Sequence, residues 1–197
     1  MRLSHVAASA LLILASGPSH TEPRRFKIDP DHFSVGFLVE HAGYDKTLGM
    51  FQRARGTFVY DEAEQTLHSG EVTVQAGSVF TNHTERDGHL RGDDFLNADD
   101  YPTIRFNATE LTLNQDREGT LTGDLTLLGT TREIELQVTI NKTGRYPFGD
   151  NAYVLGASAR GTIERSRFGM GYGVDGDLVG DEVELILEFE AVRQPEE

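Results

Sequence analysis

The residue types able to do chemistry are few and scattered. Past its first twenty residues the chain carries five histidines, His32, His41, His68, His83 and His89. It also holds a dense run of charge, "ERDGHLRGDD" at 85–94, and a glycine-rich run, "RFGMGYGVDGDLVGD" at 167–181. A helical zinc site needs two histidines four residues apart, whereas His83 and His89 are six apart and fall on different helix faces. No spacing matches a metal ligand set, and no metal is expected. A serine nucleophile would need a G-x-S-x-G elbow between strand and helix, which is absent from the sequence. The glycine run lacks the Lys-Ser/Thr ending of a phosphate loop, so its glycines suit a turn or bulge before the next strand. The carboxylates fall in turns or on the outward parity of strands, and no two of them form an acid–base pair. No catalytic residue is assigned and no cofactor is expected.

The elements that would position any site follow from composition and periodicity. The chain has 197 residues, a formal net charge of −14 and 38% hydrophobic residues, which suits one domain with a real core. The charge repels nucleic acid and anionic membrane surfaces, and no basic cluster reverses it locally. The first twenty residues join Arg2 to an apolar run from Val6 to Ala15 and then to small residues. That is the form of a secretory signal peptide, too short for a stable membrane span. The domain is therefore expected over 21–197, exported and periplasmic, with no integral membrane span. There is no cysteine, so a core rather than disulfides must hold an exported fold together.

Apolar residues alternate with period two in segment after segment: Val35, Phe37 and Val39; Phe58 and Tyr60; Val72 and Val74; Ile104, Phe106 and Ala108. The pattern resumes through Leu121–Leu127, Ile134–Ile140, Tyr153–Ile163 and Val183–Phe189. About eight strands with short turns predict an all-β, antiparallel barrel or sandwich. Ala108, Gly123, Ala157 and Ala159 on the inward parity favour a barrel with room inside. The charged run breaks this pattern. Asn82 with Glu85 has the form of an N-cap and its reciprocal carboxylate, and Gly92 is placed to end the helix, which predicts a helix over 82–91. Asp93 would cap a second turn carrying Phe95 and Leu96, and Asp87 would pair with Arg91. The charges then lie in water, with Leu90, Phe95 and Leu96 facing inward as a cap on one end of the barrel.

Strands of eight to ten residues rise ~3.3 Å per residue, so the interior could be a tunnel on the order of 20–30 Å deep. Its expected lining is Phe37, Val39, Phe58, Ile104, Phe106, Leu125, Leu136, Val138, Leu155, Ala157 and Leu187, completed by the cap residues Leu90 and Phe95. Burial of hydrocarbon is worth roughly 0.8 kcal/mol per CH₂, so such a lining suits a long chain.

The segments "FKIDPDHFSVGFLVEHAGYDKTLGMF", "NHTERDGHLRGDDFLNADDYPTIRF", "GDLTLLGTTREIEL" and "VELILEF" resemble, in order and spacing, the YceI-like polyisoprenoid-binding family. The resemblance spans Phe26 to Val192, and its "ERDxHLRxxDFL" block is highly specific. It implies a lipocalin-like, extended eight-stranded antiparallel β-barrel, periplasmic and often homodimeric, holding a polyisoprenoid or an isoprenoid-quinone tail. It also implies a barrel mouth or head-group position at His41, Tyr44, Arg86 and His89. The chain departs from the family at two places. Phe33 stands where relatives have Ser beside His32, and Arg167 replaces the acid of Arg-x-Asp-Phe-Gly in Arg165–Gly169. The leading expectation is a periplasmic lipid carrier without catalysis. The competing one is an enzyme acting on an isoprenoid quinone or its precursor at the mouth, through His41, Arg86 and His89. A third is a secreted or stress-related partner protein whose barrel is only a scaffold for a loop surface such as "GRYPFGDN".

Overall fold

The computed structural model describes residues 22–195; the expected signal peptide at 1–20 lies outside them. Ten strand segments run in chain order: β1 (Arg24–His41), β2 (Asp45–Phe51), β3 (Ala54–Asp61), β4 (Thr66–Gln75), β5 (Val79–Phe80), β6 (Thr103–Leu113), β7 (Glu118–Leu127), β8 (Thr130–Arg145), β9 (Tyr153–Glu164) and β10 (Val179–Arg193). They form one antiparallel sheet, closed by pairing of β1 with β10.

Ten segments make eight staves because two staves are broken. β1 pairs with β3 through its first residues, Lys27 opposite Thr57, and with β2 through its last, Val35 opposite Phe51. β2 and β3 are thus one long strand interrupted at Gln52–Arg53. Its neighbour is interrupted at the same level, where a 3₁₀ turn over Ala76–Ser78 separates β4 from β5. Buried Ser78 bridges the two breaks: its hydroxyl donates to the Gln75 carbonyl at 2.6 Å and accepts from the Arg53 amide at 3.1 Å. The backbone groups freed by the interruption are therefore re-paired rather than orphaned. Periodicity did not mark β2, whose "DKTLGMF" carries no clean alternation. The β7–β8 connection is a two-residue hairpin with Leu128 and Gly129 both at positive φ (50° and 72°), the primed turn that matches strand twist.

The interior is packed unevenly. At one end Phe26, Ile28, Tyr60, Ile140, Leu155, Ala157 and Ala191 make a closed core. There Phe26 stacks on Phe58 with centroids 5.1 Å apart, and Phe189 meets Phe58 and Phe33 edge-on. At the other end Val79, Phe95, Leu96, Leu125, Leu127, Ile163, Phe168 and Met170 form a second cluster. Phe95 and Leu96 are core residues of this cluster, more deeply set than a removable lid.

The cap helix α1 spans Thr84–Arg91, and its details correct the expected ones. Its N-cap is His83, whose ring Nδ1 accepts from the Arg86 amide at 3.2 Å; Asn82 instead turns the chain at φ 60°, a conformation that asparagine tolerates. Gly92 does end the helix, in an extended rather than left-handed conformation. The following turn is closed by the Gly92 carbonyl, which accepts from Phe95 and Asn97, and not by Asp93. Arg91 donates to the Gly77 carbonyl rather than pairing with Asp87. Asp87 itself is 4% exposed, not in water: one carboxylate oxygen accepts from the Thr81 amide (2.7 Å) and hydroxyl (2.6 Å). Charge-assisted bonds of that kind offset the burial of a carboxylate.

Asp87→Ala should leave the Thr81 amide and hydroxyl buried without an acceptor, at a cost of about 1–3 kcal/mol. Thermal unfolding followed by circular dichroism should show a fall in Tm of several degrees, whereas an unchanged Tm would mean that the cap does not depend on this carboxylate.

Candidate functional site

Inward-facing residues of β1 and β10 are apolar yet not buried. Val35, Phe37, Val39, Val183, Leu185 and Leu187 are all intermediate in exposure, although each pairs across the closing ladder on the inner parity. Side chains that point inward and still meet open space line a void. That void is a cavity of about 640 Å³ between the cap cluster and the strand walls. Its size falls within the ordinary range of small-molecule sites.

Nine of the apolar residues expected to line the interior do line this cavity: Phe37, Val39, Leu90, Phe95, Ile104, Phe106, Leu125, Leu136 and Leu187. The other four, Phe58, Val138, Leu155 and Ala157, lie toward the closed end, where a second void of about 110 Å³ remains. Val72, Phe106, Leu136 and Leu187 border both spaces, so the interior is a wide chamber narrowing into a small pocket rather than a uniform tunnel. The inward small residues contribute less room than expected. A Cβ on Gly123 would lie 2.5 Å from the Phe106 ring, so the glycine seats that ring instead of leaving a gap. Gly49 seats Phe37 in the same way, its Cβ position lying 2.2 Å from the ring.

Val35, Ile134, Ile163, Val183 and Leu185 also line the chamber. Their inward parity was visible in the strand pattern. Val79, Met170, Leu178 and Val179 belong to the broken stave and the glycine-rich connection, where no periodicity operates. That connection is the turn expected before the last strand, with Gly169 and Gly173 at positive φ.

His41, Arg86 and His89 reach the chamber wall, as expected of a mouth. Tyr44 does not: it sits in the β1–β2 turn, its amide bonded to the His41 carbonyl, with its ring 92% exposed. The reason is local, since the positive φ of Ala42 and Gly43 has already turned the chain outward. The three mouth groups each have their own neighbour. His41 stands 4.0 Å from Asp45, His89 Nε2 is 2.8 Å from Asp94, and Arg86 donates to the hydroxyl and carbonyl of Thr81. Among the described residues no hydrogen bond joins any two of the three.

A fourth polar residue on this wall was marked in the sequence only by its place in the Arg-x-Asp-Phe-Gly segment of the family resemblance. Arg165, in the 3₁₀ turn Arg165–Phe168, is 2% exposed and lines the chamber. Its guanidinium donates at 2.8 Å to the carbonyls of Gly180, Met170, Tyr172 and Val179, fastening the β9–β10 connection over the mouth. It also lies 5.8 Å from the Phe95 ring centroid, within an aromatic group in which His89, Phe95 and Tyr172 meet at 4.9–5.2 Å. Burial lowers its pKa from the ordinary guanidinium value, with Asp181 opposing the shift.

A closed eight-stranded antiparallel barrel, capped at one end around an apolar chamber, defines a lipocalin-like protein. The chain belongs to the family of the YceI-like domain, whose pattern matches residues 26–191. It is 38% identical over 171 residues to Protein YceI of Escherichia coli O6:H1, covering 86% of this chain and 87% of that one. BcnA of Burkholderia cenocepacia superposes with a TM-score of 0.74 at 21% identity, covering 83% of this chain and 98% of that one. A polyisoprenoid binding domain from Saccharophagus degradans superposes with a TM-score of 0.65 at 14% identity, covering 86% and 98%. Among the described residues no helix is long and apolar enough to cross a membrane.

The uneven interior makes a paired test. Val183→Trp places an indole in the large chamber and should change stability by less than about 1 kcal/mol, whereas Ala157→Trp overfills the closed end and should cost about 1–3 kcal/mol or more. The protein has no tryptophan of its own, so the emission of each variant reports its new side chain alone. Equal loss of Tm in the two variants would mean that the chamber is not open to a side chain.

Proposed function

We propose that the protein binds a long-chain isoprenoid lipid, of polyprenyl or isoprenoid-quinone type, in the barrel interior and carries it in the periplasm without chemistry of its own. The observation that carries this reading is the chamber of about 640 Å³, walled by aliphatic and phenyl side chains and prolonged toward the closed end by the smaller pocket. A hydrocarbon chain gains roughly 0.8 kcal/mol for each CH₂ taken out of water, so a dozen buried carbons outweigh the cost of immobilising the ligand. The wide part accepts branched isoprene units, and the narrow part is sized for a chain end. The likeness to a polyisoprenoid binding domain points the same way, and the apolar leader at the N-terminus supports export. Binding rather than catalysis is supported by the mouth, where His41, Arg86 and His89 are each engaged by a different neighbour. An enzyme requires two or three such groups converging on one reacting atom.

Protein purified from its native host and extracted with organic solvent should release an isoprenoid lipid in a substantial fraction of the protein's molar amount, identified by mass spectrometry. Val183→Trp should abolish that yield without unfolding the barrel. A native extract and a reconstitution with polyprenol and ubiquinone that both show no bound lipid would overturn the reading.

A further inference from the structure

The chain is acidic as a whole, with 32 Asp and Glu against 18 Lys and Arg, and its cations are scattered along the sequence. Folding gathers several of them on one outer face of the barrel. The outward positions of β3, β4 and β6 stand in rows across the wall, and one row sets Arg55 and Arg105 on either side of Thr73. Two strand spacings separate the arginines, about 10 Å. Thr73 has outward parity, between inward Val72 and Val74, yet is only 4% exposed, so its neighbours on that face, the two arginines among them, cover it. The next row begins with Lys27 opposite Thr57. Arg53 is exposed in the break of the β2–β3 stave, its amide held by Ser78, and exposed Arg91 donates to the carbonyl of Gly77, the residue before that serine.

Among the described residues none of these five cations is in an ion pair. Glu71 is the acid between the two rows, and it accepts from the Thr73 hydroxyl. The stripe has an edge: beyond Asn107 its row turns acidic at Asp124 and Glu133. Toward the mouth the same stave becomes apolar instead. Leu48, 63% exposed, and exposed Met50 and Phe80 stand on the outer face there. Met50 lies opposite Phe80 on one side and on the other opposite Gly36, which has no side chain to cover it. Of the acids bordering this end, Glu184 is paired with Lys46, and Glu40 and Asp45 lie beyond, next to the β1–β2 turn.

We propose that this face docks the protein on an anionic phospholipid bilayer, the arginines meeting lipid phosphates and Leu48, Met50 and Phe80 entering among the head groups. Neither half of the patch alone names the partner. Unpaired cations fit any anionic surface, and each one near an anionic leaflet contributes roughly 1 kcal/mol. Large apolar side chains beside them fit a surface that is also apolar just below its charges, which a bilayer is. Guanidinium groups suit phosphate oxygens in particular. The net charge of the chain does not forbid this contact, because the screening length at physiological salt is about 8 Å and acids on the opposite wall act weakly across the barrel. Leu48 follows the turn after His41, which lines the chamber, so docking by this face brings the mouth beside the membrane. The proposal is independent of what the chamber holds.

Flotation of the purified protein with two kinds of vesicle tests it: phosphatidylethanolamine mixed with phosphatidylglycerol, and phosphatidylcholine alone. The anionic vesicles should carry severalfold more protein, and added salt should weaken that binding. Arg55→Glu with Arg105→Glu should reduce it about tenfold or more, whereas Arg160→Gln, on a strand outside the patch, should leave it unchanged. The chain has no tryptophan, so Met50→Trp reports this face alone. Its emission should shift to the blue with anionic vesicles, and this decides the matter if the double variant fails to fold. Equal or no binding to the two vesicles overturns the proposal, as does anionic binding that survives the double charge reversal or leaves the tryptophan emission unmoved. Poly-L-glutamate that binds as tightly as the anionic vesicles would make the face a dock for acidic proteins and overturn the bilayer assignment.

Discussion

Without the ladder that sets Val35 opposite Leu187 and Phe37 opposite Leu185, β1 and β10 would be two open edges, each with a row of unpaired amides and carbonyls. Closure removes both edges together and fixes everything inside. Because the sheet is a ring, the inward parity of every strand faces every other, and the alternating residues of eight staves must share one cross-section. The two broken staves follow from the same demand. β1 is long enough to pair with β3 at one end and β2 at the other, so β2–β3 and β4–β5 have to bend at one level, and Ser78 supplies the hydrogen bonds that the bend removes.

A ring of eight strands is just wide enough for side chains to fill it or to leave room for one ligand, and here one end is filled while the other encloses a chamber. At the closed end four phenyl rings, from Phe26, Phe33, Phe58 and Phe189, meet near the axis. Toward the cap the strands present Val35, Val39, Val183 and Leu185, which are too short to reach across. The cap cluster then closes the end at a distance, over a chamber that no side chain crosses. The cap is held partly by a carboxylate: Asp87 fixes Thr81, and Thr81 in turn receives the Arg86 guanidinium, so one buried acid sets where a mouth cation stands.

Charge is sorted by the wall. The acids of β10, Glu184 and Glu188, point outward and pair with Lys46 of β2, across β1, and with Arg160 of the adjacent β9. Arg165, 2% exposed, stands on the chamber side of the wall, where low dielectric enlarges the effect of its charge, while Arg86 at the mouth is exposed. An acidic exterior limits unspecific association with anionic surfaces.

How much was legible can be traced to particular residues. The period-two runs at Ile104–Ala108, Ile134–Ile140 and Val183–Phe189 determined strands and the face each buries, because side-chain alternation is a local property of the extended chain. The motif blocks around Arg86-Asp87 and His89-Leu90 determined the family. Local signals could not say that Gly123 seats the Phe106 ring rather than opening space, that Asp87 is buried while Asp93 does not cap the next turn, or that β2 exists at all. Each of these depends on which residue of a distant strand or loop lies opposite. Arg165 is the clearest case, since its four acceptors come from residues five to fifteen positions away, in a glycine-rich connection without periodicity. The sequence by itself determined a capped antiparallel barrel with an apolar interior. Tertiary structure alone decided where that interior is empty and how Arg165 is held at its mouth, because a void and a buried guanidinium bound by a distant segment depend on what meets, or fails to meet, across the ring.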